Sequence, residues 1–244
     1  MSRYVKGAVS LVVFFSIFGF QWTTVVVKKA GPSIPADTIE VIGVGTQGNA
    51  DGANITPTIH ASSTTGDLMI VIVHQRDRVA TSVSGWTLKD TTAVSATSKM
   101  GIWWKIHDGD EANPTVTHAS GSSICGYVLT LRGADATAPF DTLQPYTNQN
   151  SDPGPNTFTT AQLTTLTDTT AVFHIGGCED NNTWDSQTGK CATLVVTYAN
   201  ASGTDNSIYI CYGKQLAAGA TGTSAITQNA WDNGQSTHFA IRND

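Results

Sequence analysis

Apolar positions follow two unlike patterns along this chain. Between Gly7 and Val27 no residue is charged, while Arg3 and Lys6 precede the run and Lys28 and Lys29 follow it. A run of that length can cross a bilayer. Residues 8–20 behind a basic start also have the form of a signal-peptide apolar region, although Lys28-Lys29-Ala30 makes a poor cleavage site. Alternatively the segment packs as an assembly contact. Gly31-Pro-Ser-Ile-Pro35 then breaks regular structure and forms a short stiff linker. From residue 36 onward the pattern changes to period two, interrupted by clusters of Gly, Asn, Asp and Ser. It predicts strands at 38–44, 55–59, 67–74, 86–90, 99–107, 115–118 and 123–132, and a second series at 170–176, 191–199, 207–214, 224–227 and 238–242. No stretch has the period of a long amphipathic helix.

The two series repeat one another. In the first, Leu68-Met-Ile-Val-Ile-Val73 leads to a polar corner at Asp77, then Trp86, Trp104-Lys105, and a close on Leu131-Arg132-Gly133. The second has Ala171-Val-Phe-His-Ile-Gly-Gly177 leading to Glu179-Asp180, then Trp184, Tyr212-Gly-Lys214, and Ile241-Arg242-Asn243. Two halves, about 36–140 and 141–244, that bury their apolar faces against each other produce this pattern. The expected fold class is all-β, an antiparallel β-sandwich or jelly roll with two pseudo-equivalent halves, preceded by the hydrophobic segment of residues 1–35. Alternation along 99–107 puts Met100, Ile102, Trp104 and Ile106 on one face and Trp103 on the other. A second layer is expected to cover Trp103.

Composition supports strands over helices. Thr is the commonest residue, and only 13 % of residues are charged, about half the usual fraction. With 13 Lys and Arg against 19 Asp and Glu, the net charge of −6 leaves no basic field for a phosphate backbone, so no nucleic-acid partner is expected.

Thr65-Gly-Asp-Leu-Met-Ile-Val-Ile-Val-His74, Ser84-Gly-Trp-Thr-Leu88, Trp103-Trp-Lys-Ile-His-Asp-Gly-Asp-Glu111, Pro114-Thr-Val-Thr117 and Leu131-Arg-Gly-Ala-Asp135 with Pro139-Phe-Asp141 carry a resemblance. Together with Tyr212-Gly-Lys214, Ala218-Gly-Ala-Thr221 and Ala240-Ile-Arg242, they resemble a β-sandwich module of tailed-phage virion surface proteins. That resemblance implies a tail, fibre or capsid-decoration component without assigned chemistry. The hydrophobic N-terminus departs from the pattern and admits a cell-surface protein instead.

Motifs with chemical meaning are few. Gly43-Val-Gly-Thr-Gln-Gly48 matches a dinucleotide fingerprint, but no helix follows to hold a pyrophosphate, so an edge strand with a bulge is expected. His107-Asp-Gly-Asp-Glu111 and Glu179–Asp185 gather oxygen ligands where hairpins also need Asp, Asn and Gly. No metal site and no cofactor are expected. The six histidines lack zinc spacing, and no nucleophile elbow or paired carboxylates mark a hydrolase. No enzymatic activity is expected.

Four cysteines, Cys125, Cys178, Cys191 and Cys211, allow three full pairings. Cys178 and Cys191 flank the loop bearing Trp184 and form one candidate disulfide. Cys125 and Cys211 lie on strands that can be neighbours, and in bacterial cytoplasm all four would stay reduced.

The functional expectation is a structural or adhesive surface component of a virus particle, such as a phage capsid-decoration or tail-fibre protein. A rigid scaffold would present Arg76, Asp77 and Arg78 on one loop and Asp180, Asn181, Asn182, Trp184 and Asp185 on another, Trp184 stacking on a host surface glycan. Other virion subunits would meet the N-terminal segment, in a homo-oligomer or larger assembly. Alternatives are a secreted or membrane-anchored carbohydrate-binding protein and, least favoured, a jelly-roll hydrolase.

Overall fold

The computed structural model describes residues 38–77, 80, 82–92, 98–118, 123–143, 147–149, 157–200 and 205–243. The run between Gly7 and Val27, the linker after it, and Arg78 lie outside the described residues. Every regular element among the described residues is a strand. The first half carries β1 (Glu40–Val44), β2 (Gly48–Asp51), β3 (Leu68–Arg76), β4 (Ser82–Val83), β5 (Thr87–Thr92), β6 (Ser98–Ile106), β7 (Val116–Thr117) and β8 (Ser123–Arg132). The second carries β9 (Phe140–Leu143), β10 (Thr147–Gln149), β11 (Thr157–Thr160), β12 (Thr164–Thr165), β13 (Thr170–Cys178), β14 (Trp184–Thr188), β15 (Thr193–Asn200), β16 (Asn206–Gln215), β17 (Gly219–Ala220), β18 (Ser224–Gln228) and β19 (Gly234–Ile241).

Each half builds its own antiparallel sheet, and the strand orders match. The first is β1-β8-β3-β6-β5 with β2 also on β8; the second is β10-β19-β13-β16-β15 with β9 also on β19. Between the sheets lies one apolar layer. Leu68, Ile70 and Ile72 of β3 and Ile102 of β6 meet Phe173 and Ile175 of β13, Ile210 of β16 and Phe239 of β19 there.

Both outer faces are covered as well. Over the first sheet, Met69, Val71, Val73 and Trp103 pack beneath Ile55, Val83 and Val116, where β4 pairs with β7 and Ile55 bridges Val116. Over the second, Cys178, Tyr209 and Cys211 pack beneath Phe158, Trp184 and Ile226 from the small sheet β11-β18-β14. This four-layer build explains why β3 and β13 are apolar almost without interruption: neither of their faces meets water. It also accounts for Trp103, 2 % exposed under the second layer, as its alternation with Trp104 implied.

The edge strands β5 and β15 carry a bulge at the same level, between Leu88 and Asp90 and between Leu194 and Val196. Bulges of this kind twist an edge away from further pairing. Along the Gly43 to Gly48 motif the chain runs as β1 and β2 on β8, with a bulge between Val41 and Gly43. A side chain at Gly45 would collide with the Thr58 carbonyl, so close backbone approach, not phosphate binding, accounts for that glycine. Residues 55–59 contribute only the Ile55 bridge, short of the strand expected there.

The two ends of the sandwich differ in chemistry. At one, Arg132 grips Asp67 with two bonds, Nε to Oδ1 at 2.8 Å and Nη2 to Oδ2 at 2.9 Å, and its counterpart Arg242 meets Asp135 at 2.7 Å. At the other, where β3 and β13 both finish, the interior turns polar: His74, Ser98, Ser123, Asn206 and Gln235 are all fully buried. His74 Nε2 shares a hydrogen bond with Ser98 Oγ at 2.7 Å, and Asn206 Nδ2 donates to the His74 carbonyl at 3.4 Å. The His74 ring lies over Gly177, where any Cβ would strike it.

Candidate functional site

The polar end brings together the two loops singled out from the sequence. Arg76, the last residue of β3, donates from Nη1 to the carbonyl of Glu179, the residue after β13, at 3.1 Å. Asp77 follows with φ 62°, a left-handed conformation that Asp tolerates better than most residues and that turns the chain away from the sheet. After Glu179, Asp180 and Asn181 are exposed, Asp180 Oδ1 accepting from the Asn181 amide at 2.7 Å.

A third segment joins them. The amide of Glu179 donates to the Asn233 carbonyl at 3.0 Å, and Gln228 Nε2 donates to the Asp232 carbonyl at 3.3 Å. The turn 229–233 between β18 and β19 therefore belongs to the same tip. It carries Trp231, 60 % exposed, beside Asp232. Nothing local distinguished Trp231 from Trp184, since both sit among Asn and Asp.

Charge at the tip is mixed. Burial pushes the Glu179 carboxyl up to about 7, the Asp232 carboxylate adds to the rise, Arg76 opposes it, Asp77 adds, and Lys99 opposes. Burial also raises Asp232, with Asp180 adding and Arg76 opposing. The tip thus combines an exposed carboxylate at Asp180 and a half-buried one at Asp232 with the Arg76 guanidinium and one exposed indole, above a buried carboxyl at Glu179 that changes state near neutral pH.

Three of the expected ligand residues are placed elsewhere. Trp184 is 6 % exposed, edge-on to Phe158 of the cover layer at 5.0 Å and tilted on Tyr209 of the sheet beneath at 4.6 Å, so its ring is enclosed and cannot stack on a sugar. Asn182 is buried and donates from Nδ2 to Gln228 Oε1 at 3.1 Å, tying the loop to β18. Asp185 is exposed but lies within β14, accepting from Thr227 Oγ1 at 2.7 Å; that hydroxyl holds its carboxyl below the ordinary range.

Neither the candidate Cys178–Cys191 disulfide nor the fully reduced alternative is found. Cys191 bonds to Cys211 instead, with Cα atoms 4.9 Å apart, and Cys125 and Cys178 are buried thiols. Register explains the difference. Cys211 stands opposite His174 on β13, whereas Cys178 is four residues further along that strand, opposite Ser207 and bonded to its hydroxyl at 2.9 Å. At about 3.3 Å per residue, Cys178 is roughly 13 Å beyond the level at which Cys191 arrives.

The acidic turn after β6 is used internally. Glu111 holds Lys105 Nζ through both oxygens, at 2.6 and 2.7 Å, and Asp108 Oδ1 accepts from the Asp110 amide at 3.3 Å. Among the described residues the one grouping of His, Cys and carboxylate side chains with metal-binding proximity is His174, Cys191 and Cys211. Among the same residues no helix is long and apolar enough to cross a membrane. Comparison with protein-family models, with curated proteins and with solved structures finds no match.

Proposed function

We propose that this chain is a non-enzymatic adhesive surface component of a virus particle, which binds host surface glycan through the tip formed by Arg76, Asp77, Glu179, Asp180, Trp231 and Asp232. The observation that carries the reading is the exposed indole of Trp231 beside Asp232, at the end where loops from both halves meet. An indole face packs against the C–H face of a sugar ring, and neighbouring carboxylates and amides accept and donate to its hydroxyls. The motifs from Thr65 to Arg242 that resemble a phage surface module supply the viral setting, and a rigid four-layer scaffold suits presentation of a fixed tip. The N-terminal run between Gly7 and Val27 is the proposed contact with other virion subunits.

The test is a glycan array probed with the full chain, with Trp231→Ala and with Asp180→Asn, alongside antibody labelling of purified particles. The reading expects a glycan class bound by the wild type and lost with Trp231→Ala. Absence of any glycan binding, or binding indifferent to both substitutions, removes the adhesive assignment; absence of the chain from particles removes the viral one.

A further inference from the structure

The outer faces of the two sheets can be compared position by position, because strand order and inward residues set a common register. Ile70 and Ile72 match Phe173 and Ile175, Ile102 matches Ile210, and Leu129 matches Phe239. On that register the cross-strand neighbours Trp103, Val71 and Val128 of the first sheet occupy the places of Cys211, His174 and His238 in the second. An entirely apolar trio fills this level of the architecture in one half. Packing alone therefore does not ask for imidazole and sulfur in the other, where burying polar groups carries a cost.

Cys191 enters from the turn ahead of β15, so that a ring nitrogen of His174 and the sulfurs of Cys191 and Cys211 all lie within 4.8 Å of one another. All three residues are fully buried. His174 Nε2 shares a 2.7 Å hydrogen bond with the Tyr209 hydroxyl, while His174 Nδ1 has no hydrogen-bond partner. Metal-ligating histidines characteristically hold such a partner through the other ring nitrogen, which fixes the ring and its tautomer.

We propose that the dithiol form of Cys191 and Cys211, together with His174, is a binding site for one thiophilic d10 cation, Zn2+ or Cu+, and that the disulfide is the metal-free form of the same site. Two thiolates and a neutral imidazole are the donor set such ions select. Around one zinc ion, bond lengths of about 2.3 Å to sulfur and 2.0–2.1 Å to nitrogen put the donors roughly 3.6–3.8 Å apart, inside the span found here. Zn2+ leaves the centre electrically neutral in its buried surroundings; Cu+ leaves one negative charge but is satisfied by three donors. Conversion begins with a phosphine reductant: phosphorus gives two electrons to the S–S bond and takes oxygen from water, leaving a phosphine oxide and two thiols. The cation then displaces both thiol protons and accepts the imidazole lone pair.

The experiment uses the purified full chain, oxidised or reduced with a phosphine under inert gas, offered one equivalent of Zn2+, Co2+ as a spectroscopic probe, or Cu+. Native mass spectrometry and circular dichroism read the result. The reduced chain is expected to stay folded and take up one ion, with sulfur-to-cobalt charge-transfer absorption for Co2+, while the oxidised chain takes up none. Tyr209→Phe should weaken binding about 10- to 100-fold. Replacing both Cys125 and Cys178 by Ser should leave it intact. A folded reduced chain that binds no ion overturns the proposal, as does uptake that persists in the Cys191→Ser/Cys211→Ser variant. Unfolding on reduction that none of the ions reverses overturns it equally, and needs no variant to interpret. Zn2+ and Cu+ arms of the same titration tell the two cations apart.

Discussion

Arg76 ends the central strand of one sheet and Glu179 directly follows that of the other, and the guanidinium of the first is bonded to the main-chain carbonyl of the second at 3.1 Å. The pair is a clasp across the sandwich, and Arg76 also restrains the rise in the Glu179 carboxyl. Arg76→Ala is expected to cost about 1–2 kcal/mol in urea unfolding, because a charged donor to a partly buried carbonyl is lost. Carbon-detected NMR should show Glu179 titrating at higher pH in that variant. A titration midpoint that falls or stays fixed would contradict the clasp.

Glu179 makes its own contribution to pH dependence. Its carboxyl is raised from 4.5 to about 7 on folding, so between those values the folded chain binds more protons than the unfolded one, and this residue's share of stability declines as pH rises. Glu179→Gln removes that decline. Relative to wild type, the variant should gain about 1–2 kcal/mol between pH 4 and pH 8, a figure discounted for solvent at the rim. Parallel stability curves for the two proteins would argue against the assignment.

Buried imidazoles act in the opposite sense. Burial lowers His74 to about 3 and His238 to about 4, and holds His174 well below its ordinary range. Below pH 6.5 the unfolded chain takes up protons that the folded chain refuses, so stability falls with acidity, by up to about 1.4 kcal/mol per pH unit for each imidazole. Three such groups outweigh Glu179. Urea midpoints at pH 7, 6 and 5 should descend in that order, and a rising series would sink the claim.

Two tryptophans with similar neighbours in sequence should behave differently. Trp184→Ala empties a site enclosed by Phe158 and Tyr209 and is expected to cost about 3–5 kcal/mol. Trp231→Ala, at an exposed turn, should change stability by no more than about 0.5 kcal/mol while abolishing glycan capture. Thermal unfolding beside array binding reads both.

Cysteine reactivity should separate along the same lines as burial. Cys125 and Cys178 have thiols pushed up by desolvation, Cys178 to about 12. Iodoacetamide should therefore leave both unmodified in the native oxidised chain and label both once it is unfolded. Opening the Cys191–Cys211 bond, which spans 20 residues, should lower metal-free stability by about 3 kcal/mol.

Apart from the short edge strands β2, β9 and β10, which no predicted range covers, the strands of the two main sheets were legible as apolar runs: residues 123–132 match β8 end to end, and 99–107 differs from β6 by one residue at each end. Their signal is strong because Leu, Ile, Val and Met fill both faces. The cover strands were harder. β11, β12 and β14 carry Thr, Asp, Ser and Gln, residues that turns also use, and their pairing depends on partners far along the chain. Loop residues 76–77 and 179–181 were legible as a polar corner in each half, yet Trp231 was not, because exposure is decided by what covers a side chain. The His174, Cys191 and Cys211 grouping had no local spacing to betray it; cross-strand register alone assembles it.

The gradient between the sheets, apolar through the middle and populated by His74, Ser98, Asn206 and Gln235 where β3 and β13 finish, should make the molecule open like a clothes-peg. Its jaws should part first at the polar end, since apolar burial holds the middle while polar contacts such as the Arg76 clasp hold that end. Deuterium uptake should accordingly begin around Arg76, Glu179 and Asp232. A ligand seated there would close the jaws and slow exchange far down both sheets.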